Sequence, residues 1–225
     1  MSLFLLGDSN AHTLVKVAAE QGWPVYGGHI APGRFLNAAG FFTVDDGDVR
    51  FHRPESEVKY RAALAGAGAA RLADIAMPVL CLFGMNLHYQ ARAEVWDGFA
   101  IAPDEPGRFL SAATVQATLR AQIAGAIAFH GHLAALGLRV FSALPPRRCA
   151  APPISTRRDV LLRAEDVAAE EIAAAGTRFI DHRPWSLDPD GELKPEFASQ
   201  ADSVHGSDAF CHRLLEDVFA AVRAG

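Results

Sequence analysis

The sequence predicts an α/β protein in three layers, α/β/α, built on a five-stranded parallel sheet. Three observations carry this expectation. Short continuous apolar runs recur five times along the 225 residues, as strands buried on both faces require. Segments with apolar residues at helical spacing separate them. Several of these segments end at a glycine, the usual stop for a helix that must turn back toward a sheet. Alternation of this kind packs helices against both faces of a parallel sheet.

In chain order, Leu3-Phe4-Leu5-Leu6 is the first strand. Residues 11–21 follow as a helix, with Leu14, Val15, Val17 and Ala18 on helical spacing and Gly22 as its stop. Pro24-Val25-Tyr26 reads as a weaker second strand. Residues 41–52 alternate around Asp46-Gly47, which predicts a small inserted β-hairpin. Val79-Leu80-Cys81-Leu82-Phe83 is the third strand. Residues 114–136 read as one long Ala-rich helix before Gly137, and Arg139-Val140-Phe141-Ser142 as the fourth strand. Residues 143–156 are rich in Pro and Arg, which excludes a helix or a central strand. That segment follows a strand, so it belongs at the carboxyl edge of the sheet, where such folds bind ligands. Residues 158–175 form the next helix, carried by Val160, Leu161, Val167 and Ile172 and stopped at Gly176. Arg178-Phe179-Ile180 is the fifth strand. Residues 209–224 close the chain, with Phe210, Leu214, Leu215, Val218 and Val222 on one helical face. There is no internal repeat and no low-complexity linker, so residues 1–225 are expected to form one domain.

The formal net charge is −5, and the only basic doublets are Arg147-Arg148 and Arg157-Arg158. A nucleic-acid surface is therefore not expected. The N-terminus has no basic region, and its apolar stretch is too short for an export signal. The longest apolar run, residues 75–85, contains Pro78 and is too short to span a bilayer. A cytoplasmic protein that uses no membrane is the expectation. Cys81, Cys149 and Cys211 cannot all pair with one another, and no C-x-x-C occurs, so neither a disulfide framework nor a zinc site is expected.

Three short motifs carry chemistry. Gly7-Asp8-Ser9-Asn10 lies between the first strand and the first helix. A serine there stands at the carboxyl end of the sheet, against the free N–H groups and positive dipole of a helix start. The same tripeptide also fits a plain helix N-cap. Asp202-Ser203-Val204-His205 precedes the last helix. Its spacing lets the carboxylate hold one ring nitrogen and leaves the other to accept a proton from a hydroxyl. Gly84-Met85-Asn86 ends the third strand and can aim an amide N–H₂ into the same cleft, toward an oxyanion. Each motif alone is weak, whereas all three together are expected by chance only roughly 0.01 times in such a chain. Metal binding by His130-Gly131-His132 is not expected, because a catalytic metal site needs three convergent ligands. His12, His29, His88 and His182 lie near the predicted cleft and are read mainly as surface or hydrogen-bonded residues.

With these motifs the chain resembles the SGNH, or GDSL-like, hydrolases from residue 3 to the final helix. Gly7-Asp8-Ser9 resembles the family's first block, with Asn10 where Leu is usual. Gly84-Met85-Asn86 resembles the third block, with Leu87 where Asp often follows. Asp202 to His205 resembles the last block. For the second block, a glycine after the second strand, Gly27, Gly28 and Gly33 compete; Ile30-Ala31-Pro32-Gly33 favours Gly33. The resemblance implies a flavodoxin-like strand order, 2-1-3-4-5. It further implies an esterase with Ser9 as nucleophile, His205 as base and Asp202 as its orienting acid. The N–H groups of Ser9 and Gly33 and the Asn86 amide would meet the oxyanion. No cofactor or metal is implied. The implied partner is a small-molecule ester, with an O-acetylated carbohydrate as the favoured class, and acyl transfer or a non-catalytic binding role are the alternatives.

Overall fold

The computed structural model describes every residue except Ala38, Met85, Cys149, Pro152, Pro153, Ser203 and Gly225. The elements run β1 (Leu3–Gly7), α1 (Asn10–Glu20), β2 (Val25–His29), β3 (Phe42–Asp45), β4 (Asp48–Phe51), α2 (Pro54–Gly66), β5 (Val79–Cys81), α3 (Leu87–Gln90), β6 (Phe99–Ala100) and β7 (Arg108–Phe109). They continue with α4 (Ala112–Gln122), α5 (Ala124–Ala135), β8 (Val140–Ala143), β9 (Ala150–Ala151), β10 (Ile154–Ser155), α6 (Arg158–Ala174), β11 (Arg178–Ile180), α7 (Arg183–Ser186) and α8 (Asp208–Ala224).

β2, β1, β5, β8 and β11 pair in that order into one five-stranded sheet. Every pairing in it is parallel. Numbered as predicted from sequence, this is the order 2-1-3-4-5. β1 is buried along its whole length, and its alternating side chains feed two cores, as the period of two in a strand dictates. Leu3 and Leu5 pack with Leu14 and Val17 of α1 and with Leu214, Leu215 and Val218 of α8. Phe4 and Leu6 face the opposite side, with Tyr60 and Leu64 of α2 and Phe129 of α5. Each fully buried side chain of this size contributes about 1.5–3 kcal/mol, so β1 anchors both layers and the loop that leaves its end. A third cluster lies beneath α3, α4 and α6, around Leu87, Leu119, Leu161 and Ile172.

The segment around Asp46-Gly47 is an antiparallel hairpin of β3 and β4. Both turn residues have positive φ, 42° for Asp46 and 75° for Gly47, the condition for a two-residue type I′ turn. One helix expected from sequence needs correction. Residues 114–136 form two helices that meet at Ile123, whose φ of −110° and ψ of 10° leave the helical region. Ile123 is buried at this corner, and the Gly125 N–H donates to Asn37 O at 3.1 Å, outside the helix. Among the described residues, no helix is long and apolar enough to cross a membrane.

Candidate functional site

The carboxyl ends of β1, β2 and β5 and the loop before α8 meet at one rim. Gly7 ends β1 where the chain bends into α1; a Cβ there would lie 2.7 Å from Ala11 Cβ, so only glycine allows this close a turn. Ser9 is the N-cap of α1, yet its side chain makes no capping hydrogen bond. Asp8 does that work: its Oδ1 accepts from Asn10 N at 2.9 Å and from Asn10 Nδ2 at 3.0 Å. The Ser9 hydroxyl is thereby left for another partner.

That partner is His205. The Ser9 hydroxyl donates to His205 Nε2 at 2.8 Å, and the His205 Nδ1–H donates to Asp202 Oδ2 at 2.9 Å. The second Asp202 oxygen accepts from the backbone N–H groups of Val204 and His205, both at 2.8 Å. These bonds wrap the loop around the carboxylate and orient it toward the ring. Burial pushes the Asp202 carboxyl up, but the N–H groups of His205 and Val204 and the imidazole outweigh it and hold it below the ordinary carboxylate value. The loop is pinned from beneath. Ser199 N donates to His205 O at 3.1 Å and Ser207 N to Phe197 O at 2.8 Å. Gly206 lies flat on Phe210, and a Cβ there would fall 2.7 Å from Phe210 Cδ1. Ser203, inside the Asp-x-x-His motif, lies outside the described residues.

Asn86 follows β5 and is 6% exposed. Among the described residues its buried Nδ2 has no hydrogen-bond partner, an expensive state for an amide unless a ligand completes it. Gly33 faces it. A Cβ on Gly33 would lie 2.6 Å from Asn86 Cβ and 2.7 Å from Asp8 Oδ2. Gly33 also opens a short 3-10 helix, Gly33–Phe35, where the first N–H groups have no intrahelical acceptor. Gly27 and Gly28, its competitors in the sequence, lie within β2 and take positive φ; Gly28 faces Val15 and Gly27 faces Leu5 O. Of the three, Gly33 is the one that touches Asn86. Met85, inside the Gly-x-Asn motif, lies outside the described residues.

The cleft is lined on one side by Ser9, His12, Thr13 and Lys16 and on the other by the loop carrying Asp202 and His205. His12 reaches it from the first turn of α1, and His88 lies beside Val204 on the far side of the same loop. Burial, with a smaller contribution from His205, lowers the His88 imidazole to about 4. His182 is not part of the cleft: it is 1% exposed and bonds Ser186 Oγ at 2.7 Å and Leu144 O at 3.1 Å. His130 is likewise enclosed, on Thr177 Oγ1 at 3.0 Å and Phe83 O at 3.2 Å. Cys81 and Cys211 are buried free thiols, and Cys149 lies outside the described residues.

Two features escaped the sequence reading. Asp8 belongs to the first motif, but nothing in its spacing says that its carboxylate is 2% exposed and abuts Gly33. Burial raises its pKa, against the lowering effect of the Asn10 hydrogen bonds. Lys59 reaches His29 across the groove between α1 and α2, with Nζ 3.0 Å from His29 Nδ1. Its helix α2 has so little apolar periodicity, with Ser56 buried and Val58 exposed, that no spacing rule marks it.

No family model matches the chain, and no curated protein matches it. Solved structures do. A GDSL-like lipase from Bacteroides thetaiotaomicron superposes with a TM-score of 0.54 at 11% identity, covering 99% of this chain and 88% of its own. A lipase/acylhydrolase from Enterococcus faecalis gives 0.51 at 17% identity, covering 100% and 96%. An acetyl xylan esterase gives 0.51 at 11% identity, covering 99% and 100%. With the parallel sheet in this strand order and the rim just described, the chain has the fold of the SGNH, GDSL-like hydrolases.

Proposed function

We propose that the protein is a serine ester hydrolase that works through an acyl-enzyme at Ser9. The observation that carries this reading is the unbroken hydrogen-bonded row from Ser9 Oγ through His205 to Asp202. In the first half-reaction Ser9 Oγ attacks the ester carbonyl carbon and its proton passes to His205 Nε2. Asp202, held ionised by its own hydrogen bonds, stabilises the imidazolium. The carbonyl electrons move onto oxygen, where the Ser9 and Gly33 N–H groups and Asn86 Nδ2 receive them. Collapse breaks the bond to the leaving oxygen, which takes the proton from His205. In the second half-reaction water repeats the attack with His205 again as base and frees the acid.

Two features favour a small ester and water as acceptor. The Asp202 side chain is 41% exposed, so the cleft is open to solvent at the row itself. The solved structures of this fold include an enzyme described as an acetyl xylan esterase, which supports an O-acetylated carbohydrate as the substrate class. The test is covalent. A fluorophosphonate probe should label Ser9, located by peptide mass mapping, and Ser9→Ala should lose both the label and turnover of p-nitrophenyl acetate. Labelling at another residue, or turnover retained in Ser9→Ala, would remove the assignment.

A further inference from the structure

We propose that His12, His29 and Lys59 form a subsite beside Ser9 that receives the carboxylate or phosphate of an anionic ester substrate. The inference rests on the hydrolase reading for its use, but not for its geometry. His29 is the last residue of β2 and pairs in register with Gly7, two residues before Ser9. His12 lies one helical turn beyond Ser9, its N–H on Ser9 O at 3.2 Å. Topology therefore puts both imidazoles next to the nucleophile. Their rings touch with centroids 4.4 Å apart, tilted by 33°. His12 lines both the Ser9 cleft and the groove between α1 and α2 that contains His29 and Lys59, so the two adjoin at His12.

The chemistry of the cluster selects an anion. The Lys59 ammonium has only protons to offer, so at 3.0 Å it donates to His29 Nδ1. His29 must then be neutral, with its Nε2–H free to donate. Burial, helped by Lys59 and by His12, lowers its imidazole to about 4 and keeps it so. Lys59 retains two further N–H groups, and among the described residues no carboxylate lines the groove. Lys16, one turn along α1 from His12, differs: it pairs with Asp208 at 2.6 Å and Glu20 at 3.9 Å. In a chain of net charge −5, an ammonium left with an imidazole as its partner attracts an external anion. Gly27 and Gly28 line the groove with backbone, beside the apolar side chains of Val15, Ile30, Ala62 and Ala63, so among the described residues its polar side chains are those of His12, His29 and Lys59. Two imidazoles in contact beside an ammonium do not suit a metal cation, which the charge would repel.

The experiment compares neutral and anionic esters on the full chain. p-Nitrophenyl acetate is the neutral reference. Mono-p-nitrophenyl glutarate carries a carboxylate on the acyl side, and 4-acetoxybenzoate carries one on the leaving side. The expected result is a higher kcat/KM for at least one anionic ester than for the reference. That ratio should fall roughly tenfold in Lys59→Gln, the effect of one lost charged hydrogen bond, invert in Lys59→Glu, be restored in Lys59→Arg, and shrink with added salt. No anionic preference, or one unmoved in Lys59→Gln, would overturn the subsite while leaving the hydrolase intact. If no ester turns over at all, the hydrolase reading fails instead. Inorganic phosphate titrated against ring-labelled histidine then decides the subsite by NMR: saturable shifts of His12 and His29, lost in Lys59→Gln, uphold it, and their absence ends it.

Discussion

At the scale of single residues, the oxyanion assignment rests on two groups, the Asn86 amide and the Gly33 N–H. Among the described residues Asn86 Nδ2 is enclosed without a partner, and Gly33, which opens a 3-10 turn, packs against Asn86. If both meet the developing charge, Asn86→Ala should lower kcat by roughly 10²–10³, the loss typical of one such donor, with little change in the thermal midpoint. Gly33→Ala acts on the same donors by a different route. Its new methyl would fall 2.6 Å from Asn86 Cβ and 2.7 Å from Asp8 Oδ2, so it must displace the amide or the carboxylate. We expect a kcat loss of at least tenfold, and a double variant no worse than Asn86→Ala alone, because groups that act as one unit are not additive. Steady-state kinetics on the three variants check this. Independent, multiplicative losses would mean that Gly33 and Asn86 serve different atoms, and an unchanged kcat in Gly33→Ala would return the second donor to Gly27 or Gly28.

At the scale of elements, the segment after β8 is held by a buried ion pair. Arg147 and Glu165, 9% and 2% exposed at their side chains, meet through Arg147 Nε at 2.9 and 3.1 Å from the two carboxylate oxygens, and Arg147 also donates to Gly191 O at 2.9 Å. Burial pushes the Glu165 carboxyl up and Arg147 pulls it back. One bridge thus ties the β8 loop to α6 and to the turn before the His205 segment. Arg147→Ala should cost on the order of 3–5 kcal/mol, because it strands a buried carboxylate, whereas Glu165→Gln with Arg147→Met should recover much of that. Urea unfolding of the two variants measures it; equal losses would mean that the pair contributes no more than its packing. How far each element was legible from sequence follows the same physics. β1, β5 and β8 announce themselves because strands covered on both faces are apolar almost throughout, whereas β11 at the sheet edge starts with the exposed Arg178 and shows itself only through Phe179 and Ile180. β2 reads short because its carboxyl half is Gly27-Gly28-His29, residues that strands disfavour and that appear here for close approach. The break at Ile123 is invisible in sequence, since the acceptor for the Gly125 N–H just beyond it is the distant Asn37 carbonyl. The three motif positions were legible because strand ends and helix starts locate them; the contact of Lys59 with His29 was not, since it joins an exposed lysine to a half-buried histidine thirty positions away.

At the scale of the whole molecule, buried neutral histidines join the carboxyl ends of the sheet to the outer helices. His130 Nε2–H donates to Phe83 O, just past β5, while Nδ1 accepts from Thr177 just before β11. His182 Nε2–H donates to Leu144 O, just past β8, while Nδ1 accepts from the Ser186 hydroxyl of α7. Neither ring can take a proton without losing an acceptor role, and burial lowers both to about 4. An unfolded histidine titrates near 6.5. As pH falls below that value the unfolded chain binds protons that the native state refuses, so stability is full above about pH 7 and declines toward pH 4. Each ring should remove about 2 kcal/mol between pH 7 and pH 5, and the less enclosed His29 and His88, also lowered to about 4, act in the same direction. The consequence reaches the site, because Leu144 leads into Pro145 and Pro146, which with His205 line the apolar space behind the imidazole. Acid should therefore loosen the backing of His205 while Asp202, held below its ordinary value, is still ionised. Urea midpoints at pH 7 and pH 5 test this in the parent, His130→Gln and His182→Gln. Each variant is expected to be less stable at pH 7 yet to lose less on acidification. A parent whose midpoint does not fall, or variants that keep the full slope, would mean that both rings carry their protons inside the fold and that the strand ends are held some other way.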